Sequence, residues 1–210
     1  MRILKQWIFL VSLSSVSTVC SASEAMLRNF FSQVDTLQAS FEQRVTDESG
    51  MTIETSSGVF SLSRPGKFRW DYASVDPDLE RGQQIVSNGE SIIFYEPDLA
   101  SASMRSFDEA LQQVPTIVLV QSGEKLDDVF TITDYGLTDG LSWVALRPKS
   151  DDAGFKELMI GFDEGQLAKI LLTDMLANET RLRLSNVKTN QPLAANVFEL
   201  DLPEEVDLVR

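Results

Sequence analysis

Few side chains in this sequence belong to the types that usually carry out chemistry. The chain of 210 residues has no histidine and a single cysteine, Cys20. A Ser-His-Asp triad, a Cys-His pair and an ordinary zinc or copper site each require one of these residue types. We therefore expect no catalytic residues, no metal site and no cofactor, and we do not expect an enzyme.

Carboxylates are the main remaining candidates for catalysis. The pairs Asp127-Asp128 and Asp151-Asp152 lie beside turn residues, where acidic side chains normally face solvent. A glycosidase needs two carboxylates that converge across a sugar-sized cleft. No motif in the sequence points to such a cleft, and a carbohydrate-active enzyme of this kind is kept as an alternative.

The most unusual pattern is an aromatic face next to a turn. Phe68, Trp70 and Tyr72 alternate with charged residues directly after the turn Arg64-Pro65-Gly66. Alternation of this kind is typical of a strand with one apolar face. The face belongs either to an ordinary packed core or to the wall of an apolar binding cavity.

Residues 1–22 have the features of a cleaved secretory signal peptide. Arg2 and Lys5 precede an apolar run that ends in small residues, and cleavage is predicted after Ala22. Cys20 follows Val19, where a bacterial lipobox has a small residue, so lipidation is not expected. The remaining chain, residues 23–210, has no cysteine and cannot form a disulfide, which favours the periplasm of a Gram-negative bacterium.

The formal net charge of -14 limits the possible partners. Binding to phosphate backbones needs clustered Lys and Arg, so nucleic acid is excluded as an expected partner. The same charge keeps the protein away from anionic bilayers.

Short alternating segments separated by turn residues predict about eleven β-strands. The hairpin signal Asn88-Gly89 joins two of them. Helices are predicted over 24–36 and over 108–122, where Pro115 can begin a second helix. The predicted strands are QASFEQRVTD, MTIETSSGVFSLS, KFRWDY, QQIVS, SIIFYE, SASMRSF, DVFTITDY, LSWVALRPK, FKELMIGFD, QLAKILLTD and ETRLRLSNVK.

This order of elements predicts one mainly β domain with helices (α+β). A long antiparallel meander twists and curls, which gives an unclosed half-barrel with one face inside. The two helices are then a lid over an apolar cavity, a design suited to a hydrophobic ligand. The side chains expected on the inner face are Phe68, Trp70, Ile92, Phe94, Leu141, Trp143, Leu158, Ile160, Phe162, Leu182 and Leu184.

The stretch SGVFSLSRPGKFRWDY, residues 57–72, resembles the signature of the outer-membrane lipoprotein carrier family (LolA). Other segments agree with that family in order: SFEQRV, IVSNGESIIFYEPDL, VPTIVLV, LRPK and FELDLPEEVDLV. Near Asp174 the family often has Gly-Gln, whereas this chain has Met175-Leu176-Ala177. The resemblance covers nearly all of residues 23–210.

The resemblance implies a periplasmic carrier, an unclosed barrel and a set of partners. The cargo would be triacylated lipoproteins released by the inner-membrane ABC exporter LolCDE, and the acceptor in the outer membrane would be LolB. We expect the carrier to be a monomer.

The resemblance also assigns Arg64 as a lid latch that stabilises a closed, empty state. We predict that Phe68, Trp70, Phe94, Trp143, Leu158 and Ile160 line the acyl-chain cavity and that Ile117 and Leu119 line the lid. The alternatives are a periplasmic lipid-sensing regulator or another hydrophobic-ligand binding protein of the same fold, and the outer-membrane acceptor itself.

Overall fold

The computed structural model describes residues 22–79, 81–106, 115–120, 126–203 and 206–209. Within these ranges, the chain forms one sheet of twelve strands, two α-helices and three short 3₁₀ helices, η1 to η3. The helices are α1 (Ala22–Gln33), α2 (Leu126–Val129), η1 (Pro97–Leu99), η2 (Pro115–Val120) and η3 (Ala195–Phe198). The strands are β1 (Thr36–Thr46), β2 (Thr52–Ser63), β3 (Lys67–Tyr72), β4 (Gln84–Asn88), β5 (Ile92–Glu96), β6 (Ser101–Arg105), β7 (Phe130–Thr138), β8 (Leu141–Pro148), β9 (Phe155–Asp163), β10 (Gln166–Asp174), β11 (Glu179–Thr189) and β12 (Asp207–Val209).

The sheet is open at both ends. Its strand order is β12-β6-β5-β4-β3-β2-β1-β11-β10-β9-β8-β7, so β12 and β7 are the edges and do not pair with each other. Each neighbouring pair is antiparallel except β12 with β6, which is parallel. The prediction of an unclosed antiparallel sheet of about eleven strands is confirmed, and the twelfth strand comes from the end of the chain.

Local sequence explains the hairpins that hold this order. At the turn between β4 and β5, Gly89 has a φ of 98°, which favours glycine. The side chain of Asn88 accepts hydrogen bonds from the backbone N–H groups of Glu90 and Ser91, at 2.9 and 3.1 Å. The predicted Asn-Gly hairpin therefore forms, and it fixes the register of two strands that line the apolar face.

Two rows of apolar side chains cross the inner face of the sheet. In one half, Phe60 lies opposite Trp70, which lies opposite Ile85, which lies opposite Phe94. In the other half the corresponding row is Val144, Ile160, Ile170 and Leu182. These side chains are at most 6% exposed. They all belong to one hydrophobic cluster, which both halves of the sheet share.

Helix α1 and the 3₁₀ helix η2 cover this face. Helix α1 packs on β7, β8 and β9 and buries Leu27, Phe30 and Phe31. The predicted helix over 24–36 therefore forms, but it begins at Ala22 and ends at Gln33. Of the helical region predicted over 108–122, residues 115–120 form a 3₁₀ helix, and the rest lies outside the described residues.

The described part of the chain contains no helix that is long and apolar enough to cross a membrane. On the outer face of the sheet, η3 packs against β3 and β4. Arg69 donates hydrogen bonds to the carbonyls of Val197 and Glu199, at 3.2 and 2.9 Å, so it anchors this segment instead of facing solvent.

Candidate functional site: a covered apolar face and its arginine

Arg64 lies in the turn between β2 and β3, at the rim of the apolar face. Its backbone N–H donates to the carbonyl of Asp35 at 2.8 Å, which places the turn beside the chain that leaves α1. The Arg64-Pro65 peptide bond is cis, and Gly66 has a φ of 73°. The guanidinium lies at the C-terminal end of α1, where it donates to main-chain carbonyls.

The Arg64 guanidinium joins three separated parts of the chain. One of its nitrogens, Nη1, donates to the carbonyl oxygens of Val34 and Phe30, and the other, Nη2, donates to that of Leu119 at 2.7 Å. The guanidinium carbon also lies 4.8 Å from the ring centre of Phe30 and 5.1 Å from that of Phe31. Carbonyls at a helix C-terminus lack intrahelical donors. A cation that donates hydrogen bonds to them therefore stabilises the end of α1.

The electrostatic environment of Arg64 shows that this arrangement has a cost. Burial lowers the pKa of its guanidinium to about 10, and the nearby carboxylate of Asp35 partly opposes this effect. A buried cation is tolerated when hydrogen-bond acceptors replace its water. If α1 and η2 move away, the guanidinium of Arg64 loses these carbonyl acceptors and must be hydrated instead. Opening of the cover is therefore coupled to hydration of Arg64.

The 3₁₀ helix η2 seals the apolar face next to this arginine. Ile117 and Leu119 are 1% and 0% exposed, and both belong to the same hydrophobic cluster as the sheet residues. The backbone N–H of Gly66 donates to the carbonyl of Val120 at 3.3 Å. The turn of Arg64 therefore holds η2 through its backbone as well as through its side chain.

The structure brings most of the predicted cavity residues together. The following predicted side chains are at most 6% exposed and belong to the hydrophobic cluster beneath α1 and η2: Phe68, Trp70, Phe94, Leu158 and Ile160. Trp70 stacks on Phe60 at a centroid distance of 4.2 Å. Its indole Nε1 is buried and has no hydrogen-bond partner among the described residues.

Trp143 does not belong to this group, and its predicted position on the inner face is wrong. In β8 the residues opposite the core of β9 are Val144 and Leu146. Because successive side chains of a strand point to opposite faces, Trp143 lies on the outer face. Both faces of β8 carry apolar residues, so alternation along the sequence did not identify the buried face.

Two aromatic residues of the site were not among the predicted ones. Phe30 and Phe31 lie beneath the guanidinium of Arg64 and close the apolar face at the end of α1. Their spacing after Leu27 is typical of one apolar face of a helix. It could not show that this face meets a turn more than 30 residues further along the chain.

Helix α1 is also attached at its N-terminal half. The N–H of Glu24 donates to the Asp134 carboxylate at 2.8 Å, and Arg28 forms ion pairs with Glu24 at 2.7 Å and with Asp127 at 2.9 Å. The hydrogen bond from Arg28 lowers the pKa of the Asp127 carboxyl. One acid of the Asp127-Asp128 pair thus contacts the cover.

Within the described ranges, no group of three or more Asp, Glu or Cys side chains could hold a metal ion. The described geometry consists of an apolar face, a cover of two helices and a partly buried cation, Arg64, that joins the cover to the sheet. These features define a mainly β protein with an unclosed sheet whose inner apolar face is covered by helices.

The chain belongs to the outer membrane lipoprotein carrier protein LolA family, whose model matches residues 32–201. It is 38% identical over 186 residues to the outer-membrane lipoprotein carrier protein of Methylococcus capsulatus, covering 88% of this chain and 86% of that protein. It is 32% identical over 209 residues to the protein of the same name from Methylobacillus flagellatus, covering 100% of this chain and 99% of that one.

Solved structures share the fold. A LolA superfamily protein from Nitrosomonas europaea superposes with a TM-score of 0.51 at 12% identity, covering 84% of this chain and 95% of that one. An uncharacterized conserved protein from Thermus thermophilus gives a TM-score of 0.54 at 13% identity, covering 90% of this chain and 99% of that one.

Proposed function

We propose that this protein carries lipoproteins across the periplasm by binding their acyl chains on the inner face of its sheet. The observation that carries the proposal is the covered apolar face with a partly buried arginine at its rim. Membership of the LolA family and the carrier names of its relatives support it.

The proposed lining of the acyl-chain site is the apolar cluster beneath the cover, with Phe68, Trp70, Phe94, Leu158 and Ile160 on the sheet. Ile117 and Leu119 are the proposed inner side of the lid. In the described form these side chains contact one another, so acyl chains would have to replace contacts of η2 and α1 with the sheet.

Energetics explain why a carrier benefits from a covered face. Each methylene removed from water contributes about 0.8 kcal/mol, so several acyl chains would contribute tens of kcal/mol in gross terms. Non-covalent affinities saturate near -18 to -21 kcal/mol, and a carrier must also release its cargo. A cover that must open before binding reduces the apparent affinity by the fraction of open molecules.

Arg64 is the proposed latch of this cover. Its side chain bonds to the end of α1 and to η2 at once, so opening either element breaks hydrogen bonds to a charged group. Such bonds contribute about 1.5–3 kcal/mol each when they form in a partly buried site. The latch would thus lower cargo affinity enough to permit delivery.

The remaining proposals concern partners and location. The cargo would be triacylated lipoproteins released by the exporter LolCDE, and the acceptor would be LolB. The protein would be exported to the periplasm after removal of residues 1–22, would act as a monomer and would catalyse no reaction.

A displacement assay tests the proposal with purified residues 23–210. The probe bis-ANS should become fluorescent on binding, and a synthetic triacylated lipopeptide should displace it at micromolar concentration. The same peptide without acyl chains is the matched ligand control. Equal displacement by both peptides, or no binding of the lipopeptide at all, would refute the proposal.

Matched leucine variants separate the inner face from the surface. Leu119→Glu places a carboxylate in the cover, whereas Leu176→Glu changes a turn leucine that is 77% exposed. We expect the first variant to lose lipopeptide binding and the second to keep it, with circular dichroism as the check that both fold. Binding that survives in a folded Leu119→Glu variant would contradict the proposed site.

A further inference from the structure

The outer face of the sheet carries a second concave site. A pocket of about 560 Å³ lies over β1, β2, β8, β10 and β11, on the side opposite the apolar cluster. We call it the basic groove and define it by the side chains of Arg44, Trp143, Lys169, Leu171, Arg181 and Arg183. Its volume lies within the range of sites that bind discrete ligands.

The floor of the basic groove is built around one indole ring. Trp143 lies over Gly161 of the neighbouring strand, where an added Cβ would be 2.9 Å from two ring carbons. Gly161 therefore permits the ring to lie close to the backbone of β9. Trp143 remains partly exposed beside Leu171, which leaves an apolar surface open to a ligand.

Basic side chains of the groove lie opposite one another on neighbouring strands, where they repel each other. Arg44 lies directly opposite Arg181, and Arg183 lies directly opposite Lys169. Like charges in directly opposite positions destabilise a sheet. A protein with 18 basic and 32 acidic residues has ample acidic side chains to separate such pairs.

Few carboxylates neutralise these cations. Arg181 pairs with Glu179, and Glu42, which also lines the groove, lies directly opposite Arg183. Among the described residues, Arg44, Lys169 and Arg183 form no ion pair or side-chain hydrogen bond. The groove is therefore a local excess of positive charge on an acidic protein, which complements a negatively charged ligand.

The distance between Arg181 and Arg183 matches the spacing of carboxylates in an extended peptide. Arg181 and Arg183 are two residues apart on one strand, a separation of roughly 6.4–6.8 Å. Carboxylates at alternate positions of an extended peptide repeat at the same distance. A bilayer surface fits less well, because the net charge of -14 opposes approach to anionic lipid.

We propose that the basic groove binds an extended acidic segment of a partner protein, with alternate carboxylates on Arg181 and Arg183 and an apolar side chain on Trp143. This site is on the face opposite the proposed acyl-chain site. It does not require the cover to open, so the two proposals can fail separately.

Fluorescence anisotropy with a fluorescein-labelled peptide of alternating Leu and Glu tests this inference on residues 23–210. The control peptide has Gln in place of Glu. We expect the acidic peptide to bind, the Gln peptide to bind at least about tenfold more weakly, and the difference to shrink as salt is raised. Equal binding of both peptides would overturn the proposal.

Variants locate the binding. Arg181→Ala combined with Arg183→Ala should weaken the acidic peptide at least about tenfold, and Trp143→Phe should keep most of the binding that Trp143→Ala loses. Lys156→Ala, an exposed lysine of β9 outside the groove, should change nothing. An equal loss in the Lys156 variant would overturn the proposal.

Two further probes exclude other anions. Inorganic phosphate and vesicles containing phosphatidylglycerol should compete with the peptide only weakly. Tight binding of either probe at the groove, with no binding of the peptide, would refute an acidic protein segment as the occupant.

Discussion

At the scale of single residues, Arg64 is the side chain on which the cover depends most directly. Its hydrogen-bond acceptors are the main-chain carbonyls of Phe30, Val34 and Leu119. Substitution of those side chains would not remove the acceptors. Changing the arginine is therefore the direct way to test the latch.

Arg64→Leu should make the cover open more readily. The variant loses hydrogen bonds of a charged group to two elements, so the apparent affinity for a triacylated lipopeptide should rise by about tenfold or more, and release to an acceptor should slow. Arg64→Lys should give an intermediate effect, because an ammonium lacks the planar fork of donors. Lys67→Leu, an exposed position in the same hairpin, is the control, and unchanged release by Arg64→Leu would contradict the latch.

Trp70 carries an indole N–H that is buried without a partner among the described residues. An unmade hydrogen bond at such a donor is costly, and an ester carbonyl of an acyl cargo would satisfy it. We expect the wild-type protein to prefer an ester-linked lipid over its ether analogue by about fivefold to tenfold. Trp70→Phe should bind both equally, and a preference that persists in this variant would assign it to another group.

Tyr72 should make stability depend on alkaline pH. Burial, with the charge of Glu54 as a second cause, raises the pKa of Tyr72 to about 12. In the unfolded chain the phenol ionises near pH 10, so between pH 10 and 12 the folded state holds more protons and the free energy of unfolding falls as pH rises. The full shift corresponds to about 2.7 kcal/mol. Because Tyr72 is only partly buried, we expect about 1–2 kcal/mol.

Urea unfolding at a series of pH values measures this effect. The free energy of unfolding of the wild-type protein minus that of Tyr72→Phe should fall as pH rises from 10 to 12. Subtracting the variant removes the contributions of lysines and of the other tyrosines. A difference that stays constant over this window would rule out Tyr72 as the source.

At the scale of elements, the molecule divides into a sheet and a cover. Helix α1 is held by Asp134 and Asp127 near its N-terminus and by Arg64 near its C-terminus. The contacts of η2 with the turn include a hydrogen bond from the backbone of Gly66 and one from the side chain of Arg64. Polar contacts at defined points and an apolar underside are what a separable cover requires, since opening then need not disrupt strand pairing.

Two leucine variants distinguish the cover from the core. Leu119 in η2 and Leu158 in β9 are both 0% exposed. Leu158→Ala should lower the free energy of global unfolding by about 2–5 kcal/mol. Leu119→Ala should act mainly on local opening, which native-state hydrogen exchange of η2 would detect, with a smaller change in global stability.

For Leu119→Ala, the loss of free energy of opening that hydrogen exchange measures in η2 should exceed the loss of global stability that urea unfolding measures. For Leu158→Ala, the two methods should give the same loss. If Leu119→Ala reduced global stability as much as Leu158→Ala did, η2 would be an integral part of the core. The same residues would then line a closed interior instead of a site for acyl chains.

At the scale of the whole molecule, the sheet is curved around one apolar face but not closed. Closing a barrel pairs its edge strands, whereas here β7 and β12 remain edges of the sheet. An open sheet leaves room for helices to form one side of the interior. The interior can then open by moving helices, without breaking the strand ladder.

The exported form should begin at Ser23. Helix α1 starts at Ala22, and Ser23 is already within it at 2% exposed, so removal of residues 1–22 would leave almost the whole helix in place. Intact-mass analysis of the protein from the periplasm would measure the N-terminus. A mature chain that begins at a lipidated Cys20 would contradict a freely diffusing carrier.

The sequence alone determined the strands, their turns and the apolar rim beside Arg64. The signals involved are local, since alternation, Asn88-Gly89 and the residues around Pro65 act over a few positions. For the same reason the aromatic face of β3 was correctly predicted to lie inside, because charged residues mark its other side.

Tertiary structure decided what local signals leave open. Strand β8 is apolar on both faces, so the sequence did not show which face is buried. Its pairing with β9 places Val144 and Leu146 in the core and Trp143 on the outer face. The acceptors of Arg64 lie 30 and 55 residues away in the sequence. Such contacts, like the like-charged pairs of the basic groove, depend on the register between distant strands and on the packing of the cover, which no stretch of neighbouring residues specifies.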